Sequence, residues 1–265
     1  MDKNKTLRQL LGRYYIALQV CLVIGLLLVA RYFVIVYGLD GITLTSLSSS
    51  IISGAVFVVG FLLVGVFSDY KEADKLPAEI RAILESIMAE GDALLRKDPS
   101  FDADNQTLKK TVVRFIDEFE QGLSHDKDHS HIEHAMDEIK KFDVVFDSME
   151  KRGVPPNYMT RIKTEQSNLK KILLRIYHIQ KTKFIPSAVF LVDSMVATVI
   201  TLLIFLKTDP LIGYIGLGII SYILLYVRGL IILLEKPFRK GRDDTHDDVS
   251  IFTLRELRDG LTSKA

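Results

Sequence analysis

Four apolar stretches, roughly Tyr14 to Tyr37, Ser46 to Phe67, Phe184 to Leu206 and Leu211 to Leu234, decide the class of this chain before any motif is considered. A helix satisfies its own backbone in lipid, and about 20 apolar residues are enough to cross a hydrocarbon core. Of the 265 residues, 48% are hydrophobic and 25% charged. Nearly all the charge is segregated into the tails and the segment between the second and third stretches. The chain therefore reads as an all-α, four-span integral membrane protein with a helical block between spans 2 and 3. Its divisions are 1–68 (N-terminus and spans 1–2), 69–183 (helical block), 184–235 (spans 3–4) and 236–265 (tail).

Basic residues give the expected orientation. Lys3, Lys5, Arg8 and Arg13, then Lys71, Lys75 and Arg81, then Lys181 and Lys183, then Lys236, Arg239, Lys240 and Arg242 all fall on one side. Only Lys207 is clearly opposite, so the positive-inside rule places both termini and the helical block in the cytoplasm. The run after the basic N-terminus is too long for a signal-peptide core and lacks a cleavage site, so it is expected to be retained as a first span. A net charge of +1 suggests no nucleic-acid partner. The single cysteine, Cys21, excludes an internal disulfide, and with no Trp present the interfacial anchors are tyrosines.

The second stretch differs from a plain anchor. Ser46, Ser48, Ser49, Ser50 and Ser53 crowd its start, and Gly54, Gly60 and Gly65 punctuate its remainder. Small residues suit a helix buried among neighbours. A hydroxyl-lined mouth leading into an apolar constriction also suits a pore wall gated by dewetting. Beyond Phe67 the helix is expected to run on into water as far as Pro77, where Pro77-Ala78-Glu79 can open a new one. Apolar residues at helical spacing then mark helices through Ile80–Leu95, Leu108–Phe119, Ile132–Met149 and Asn157–Lys183. The breaks between them are Asp98-Pro99-Ser100 and Gly153-Val154-Pro155-Pro156, and no strand alternation is visible.

Three ionisable residues lie inside spans. Arg31 is expected to snorkel to the outer interface, with an anion attractor at a pore mouth as the alternative. Asp193 sits mid-span, where a carboxylate must face protein or water, and Arg228 on the neighbouring span is its natural partner, although counting from the short hairpin sets the two at different depths. A structural pair and an ion relay both fit. In the helical block, His125, His129, His131 and His134 stand among carboxylates; a solvated loop and a divalent-metal or pH sensor are the two readings.

Thr208-Asp209-Pro210-Leu211-Ile212, then Ile219-Ile220-Ser221-Tyr222-Ile223-Leu224-Leu225, then Leu234-Glu235-Lys236-Pro237-Phe238 resemble the last span and exit of the bestrophin family. Ile176 to Pro186 resembles that family's approach to its third span, and the order of two spans, helical block and two spans agrees. The resemblance implies a homopentameric ion channel in a lipid bilayer, its pore lined by the second span. It implies passive conduction of inorganic ions, with chloride or another anion favoured and a monovalent cation as the alternative, since animal members conduct anions and some bacterial ones cations, and no catalysis. Ile52, Val56, Gly60 and Leu63 are the first candidates for a neck, with Phe57, Phe61 and Val64 as the alternative register. Asp243, Asp244, Asp247 and Asp248 occupy the position of the calcium clasp of animal bestrophins, and clustered carboxylates suit Ca2+; a solvated turn ahead of a helix over Ser250 to Leu261 is the alternative. Two other function classes stay open: a transporter coupled through Asp193, and a non-conducting membrane scaffold.

Overall fold

The computed structural model describes residues 15–43, 45–124, 130–181, 186–235, 237–238 and 248–263. The described elements are α1 (Tyr15–Val36), β1 (Ile42–Thr43), α2 (Ser46–Lys97), a 3-10 turn (Pro99–Phe101), α3 (Asp102–Ser124), α4 (Ser130–Lys151), α5 (Pro156–Lys181), α6 (Pro186–Phe205), β2 (Leu206–Lys207), α7 (Pro210–Leu234) and α8 (Phe252–Thr262). The fold is all-α, and α1, α2, α6 and α7 are long and apolar enough to cross a membrane.

Two compact units share these elements. The first takes in α1, β1, α2 as far as Tyr70, α6, β2 and α7. Its core joins Ala55, Val59 and Val66 of α2 to Val192, Val196, Val199 and Leu203 of α6 and Leu217, Leu224 and Ile231 of α7. Helix α1 ends at Gly38, whose φ of +65° only glycine adopts readily. Leu39 N–H then donates to Val34 O and Gly38 N–H to Ile35 O, the Schellman pattern that satisfies a helix's last carbonyls. Helix α2 opens on Thr45 and Ser48, whose hydroxyls accept from each other's backbone N–H at 3.3 and 2.9 Å. Asp209 caps α7 by accepting from Leu211 N–H at 3.0 Å, and Pro210 in the first turn gives up no donor the helix would have used. Strands β1 and β2 pair in parallel, Ile42 with Leu206 and Thr43 with Lys207. Two residues are too few for alternation to show, so the pair left no trace in the sequence pattern.

The second unit comprises α2 from Lys71 onward, α3, α4, α5, Pro237, Phe238 and α8. Its core is aromatic and aliphatic, with Phe115, Phe119, Phe142 and Phe146 at or near zero exposure beside Ile80, Leu84, Ile87, Leu108, Ile162 and Leu173. Helix α4 stops at Gly153 (φ +84°) in a second Schellman pattern, with Val154 N–H donating to Met149 O. Helix α8 is clamped electrostatically: Arg255 and Arg258 both reach Glu120 of α3 at 2.8 Å, and Arg81 of α2 reaches Glu256 at 2.9 Å.

The expectation of a new helix at Pro77 is corrected. Helix α2 runs unbroken through Pro77, although the proline removes one backbone donor. Ala73, Leu76, Ile80 and Leu84 around it are at most 1% exposed, and that burial holds the helix together where local propensity would end it.

Candidate pore-lining face and intramembrane charges

Burial along α2 has a seven-residue repeat. Val59, Val66, Ala73, Ile80, Ile87 and Leu94 are all buried, one per heptad, for most of the helix. Opposite them run two exposed series: Ser50, Phe57, Val64, Lys71 and Ala78, and Gly54, Phe61, Ser68, Lys75 and Ala82. A period of seven, not the bare 3.6 of a straight helix, keeps a stripe on one side over this length. The exposed stripe reads hydroxyl and glycine first, then two phenylalanines, then valine and serine, then two lysines. Phe57, Phe61 and Val64 are 74, 69 and 67% exposed.

The two neck registers are thereby placed differently. Ile52 and Leu63 pack against the first unit's core and Gly60 is half-buried, so of that register only Val56 is exposed. Phe57, Phe61 and Val64 lie on the free face. An ideal Cβ at Gly54, Gly60 or Gly65 meets nothing within 4 Å, so among the described residues no neighbour accounts for these glycines.

Arg31 does not snorkel. It is 1% exposed and donates to the carbonyls of Leu203, Ile204 and Leu206, at 3.4 Å to Ile204 and 3.2 Å to Leu206, and to Thr208 Oγ1 at 3.1 Å. These are the last carbonyls of α6 and the turn beyond it, where a cation complements the negative end of the helix. Its guanidinium also stands 5.8 Å from the centroid of the Tyr214 ring. Gly213 makes the space: a Cβ there would overlap Arg31 Nη2 and sit 2.6 Å from Thr208 Oγ1. Sequence reasoning missed Gly213 and Thr208. The signal was an arginine near the C-terminal end of one span matched by a small residue in the first turn of another. Burial also removes Arg31 as an anion attractor at a pore mouth.

Asp193 and Arg228 do pair, Nε to Oδ1 at 2.5 Å and Nη2 to Oδ2 at 3.2 Å, with side chains 40 and 39% exposed. The depth mismatch disappears when residues are counted from the other ends of α6 and α7. Asp193 lies seven residues after Pro186 and Arg228 six before Leu234. The extended strand β2 adds length between the end of α6 and the start of α7, which is why counting from the hairpin misleads.

Of the metal candidates, only His134 and Asp248 are described with their side chains. Asp243, Asp244, Asp247, His125 and His129 lie outside the described residues, as does the His131 side chain. His134 is exposed on α4, and Asp248 precedes α8. Among the described residues no group of three or more His, Cys, Asp or Glu side chains is placed to hold an ion.

No family model matches the sequence. No curated protein matches it either. Solved structures do. A bacterial bestrophin homolog from Klebsiella pneumoniae carrying a tyrosine-to-alanine mutation superposes with a TM-score of 0.74 at 16% identity, over 94% of this chain and 98% of that one. The same bacterial homolog solved by zinc phasing gives 0.74 at 15% identity over 91 and 96%. A structure described as a membrane protein with a proline-to-alanine mutation gives 0.75 at 15% identity over 94 and 98%.

Proposed function

We propose, on the premise that this chain has the fold of a bacterial bestrophin homolog, that it is an ion channel whose pore is lined by α2 from several copies. The bestrophin resemblance implies five. The observation that carries the reading is the exposed stripe of α2, which is a poor lipid anchor. It opens on exposed Ser50 and Gly54, passes to Phe57 and Phe61, and opposes a face buried at Val59 and Val66.

Around a common axis such stripes give a wet mouth and then an apolar neck. Water leaves a narrow apolar ring, and conduction resumes when the ring dilates. On this reading the neck is Phe57, Phe61 and Val64, because Ile52 and Leu63 are engaged in the fold of their own chain. The bidentate pairing of Asp193 with Arg228 supports a structural role for that carboxylate over a coupling role in transport. Conduction is passive and both termini are cytoplasmic, as the distribution of Lys and Arg indicates. The His-rich segment and the acidic run before α8 remain proposed sites for a divalent ion, calcium at the latter.

Planar-bilayer recording of the purified protein tests this. Wild type should show unitary currents, and Phe57→Ala with Phe61→Ala should enlarge them and raise the open probability. Silence from a well-folded oligomer would refute the channel. Currents indifferent to Phe57→Ala and Phe61→Ala but altered by Ile52→Ala and Leu63→Ala would refute the register.

A further inference from the structure

Helix α7 carries a row of side chains that the pore does not use. Tyr214, Gly218, Tyr222 and Tyr226 follow one another at intervals of four, so they line up along one face of the helix. Gly218 has no side chain, and a Cβ built there meets nothing within 4 Å, so the row has a gap between the Tyr214 and Tyr222 rings. That gap is the floor of a groove of about 460 Å³, with Ile219 and Ile223 along one wall and Ile24 of α1 on the other. Small-molecule sites run from about 300 to 1,000 Å³ and combine an apolar, aromatic lining with a few placed polar groups. Both rings are fixed from outside the groove. Tyr214 has the Arg31 guanidinium 5.8 Å from its centroid, and Tyr222 stacks on Tyr226 with centroids 5.8 Å apart at 20°.

Depth decides what fits. Tyr222 is the middle residue of α7, about 18 Å from either end at 1.5 Å per residue, while half a hydrocarbon core is only about 15 Å. It is 38% exposed, so it is no interfacial anchor, and its hydroxyl stands where the bilayer holds no water. Among the described residues neither this hydroxyl nor that of Tyr214 has a hydrogen-bond partner. An unpaired hydroxyl in an apolar medium is costly, and an acyl chain offers it no acceptor. We infer that the groove binds a neutral, flat-ringed lipid of the quinone class. Its ring lies between Tyr214 and Tyr222, a ring carbonyl accepts from the Tyr222 hydroxyl, and its apolar tail follows the isoleucine wall. Leu217, Leu224 and Ile231 take another side of α7 into the core with α2 and α6, so copies that meet through the exposed stripe of α2 leave the groove open to the bilayer. Only that last step rests on the channel reading.

The test is equilibrium binding of a tritiated decyl-substituted benzoquinone to the purified chain in mild detergent, with planar-bilayer currents recorded in parallel. Wild type should bind saturably. Gly218→Leu should fold normally, since its side chain enters open space, and should weaken binding by about tenfold or more. Tyr222→Phe keeps the ring and its stack on Tyr226 and should cost about fivefold, the worth of one hydrogen bond. Gly216→Leu, equally open but outside the groove, should change nothing. Affinity unmoved by Gly218→Leu or by Tyr222→Phe would overturn the site. So would competition by methyl palmitate as effective as by unlabelled quinone, because the groove would then take any acyl chain. Rapid disulfide cross-linking of Gly218→Cys in a Cys21→Ser background would overturn it too, by showing that a second copy covers the groove. A silent wild type that still binds the quinone overturns the channel reading and leaves the site standing, and currents without saturable binding do the reverse.

Discussion

Gly213→Ala isolates the contact between Arg31 and the start of α7. Alanine normally favours a helix over glycine by about 1 kcal/mol, so the substitution should stabilise α7 if nothing opposes it. At Gly213 something does: the new methyl would overlap Arg31 Nη2 and lie 2.7 Å from Arg31 Cζ and 2.6 Å from Thr208 Oγ1. The guanidinium must withdraw to restore ordinary contact, which breaks its bonds to Leu206 O and Thr208 Oγ1. Overpacking costs about 1–3 kcal/mol, and each charge-assisted hydrogen bond lost costs about 1.5–3 kcal/mol. With two such bonds broken and the helix-propensity gain of about 1 kcal/mol subtracted, the net loss is about 3–8 kcal/mol, which at about 2–4 °C per kcal/mol is roughly 6–32 °C in Tm for a chain of this size. Gly216 and Gly218, on the same helix with nothing within 4 Å, supply the contrast: their alanine variants should be neutral or slightly stabilised. The chain has no Trp, so unfolding is best monitored by far-UV circular dichroism in mild detergent. A double-mutant cycle completes the case, because Gly213→Ala should cost little once Arg31→Ala has emptied the space. If Gly213→Ala unfolds at the temperature of Gly216→Ala and Gly218→Ala, the buried-arginine joint is refuted.

The charged pairs give two more expected outcomes. Asp193→Asn or Arg228→Met alone should destabilise by about 1–3 kcal/mol, the upper figures for a buried pair being reduced by the exposure of these side chains; replacing both by apolar residues should recover most of the loss in thermal unfolding, which an ion-coupling carboxylate would not explain. Asp92, on α2 beyond the apolar stretch, is held below the ordinary carboxylate range: burial pushes it up, but the hydrogen bond from Asn105 and the ion pair with Lys109 outweigh burial. A carboxyl with a depressed folded-state pKa adds stability above its unfolded value, about pH 4, and that stability is lost as the pH falls through the folded value. Asp92→Asn should therefore flatten the acid limb of a plot of Tm against pH below about pH 4 and leave the shape near neutrality unchanged; an acid limb identical to wild type would contradict the assignment.

The spans, the helical block and its breaks were legible because each is written in a pattern that physics reads directly. Uncharged runs of spanning length, 3.6-period apolar residues and Gly-Val-Pro-Pro admit few alternatives. Pro77 was misread because local propensity was weighed without burial. The heptad that carries Ala73, Ile80 and Ile87 into the core also carries α2 across the proline. Arg31 was misread for a related reason. An arginine near the end of a span reaches either water or a ring of carbonyls, and only the position of Gly213 in a distant helix decides between them.

Which face of α2 is exposed was the least legible feature, and the reason lies in the solvent. In a water-soluble helix the polar face marks what is exposed, but in the apolar half of α2 both faces are built from Val, Phe, Leu, Ile and Gly. Hydrophobicity therefore carries no direction there. Direction enters only where the helix becomes polar again, past Ser68, because lysines cannot sit on the buried series. Extending the seven-residue repeat back from Lys71 and Lys75 lands on Val64 and Ser68, then Phe57 and Phe61, then Ser50 and Gly54, whereas extending it from buried Ala73 and Ile80 lands on Val66 and Val59. The charged end of α2 thus indexes its apolar end, and that index marks the exposed face, with Phe57, Phe61 and Val64, apart from the packed face that holds Ile52 and Leu63.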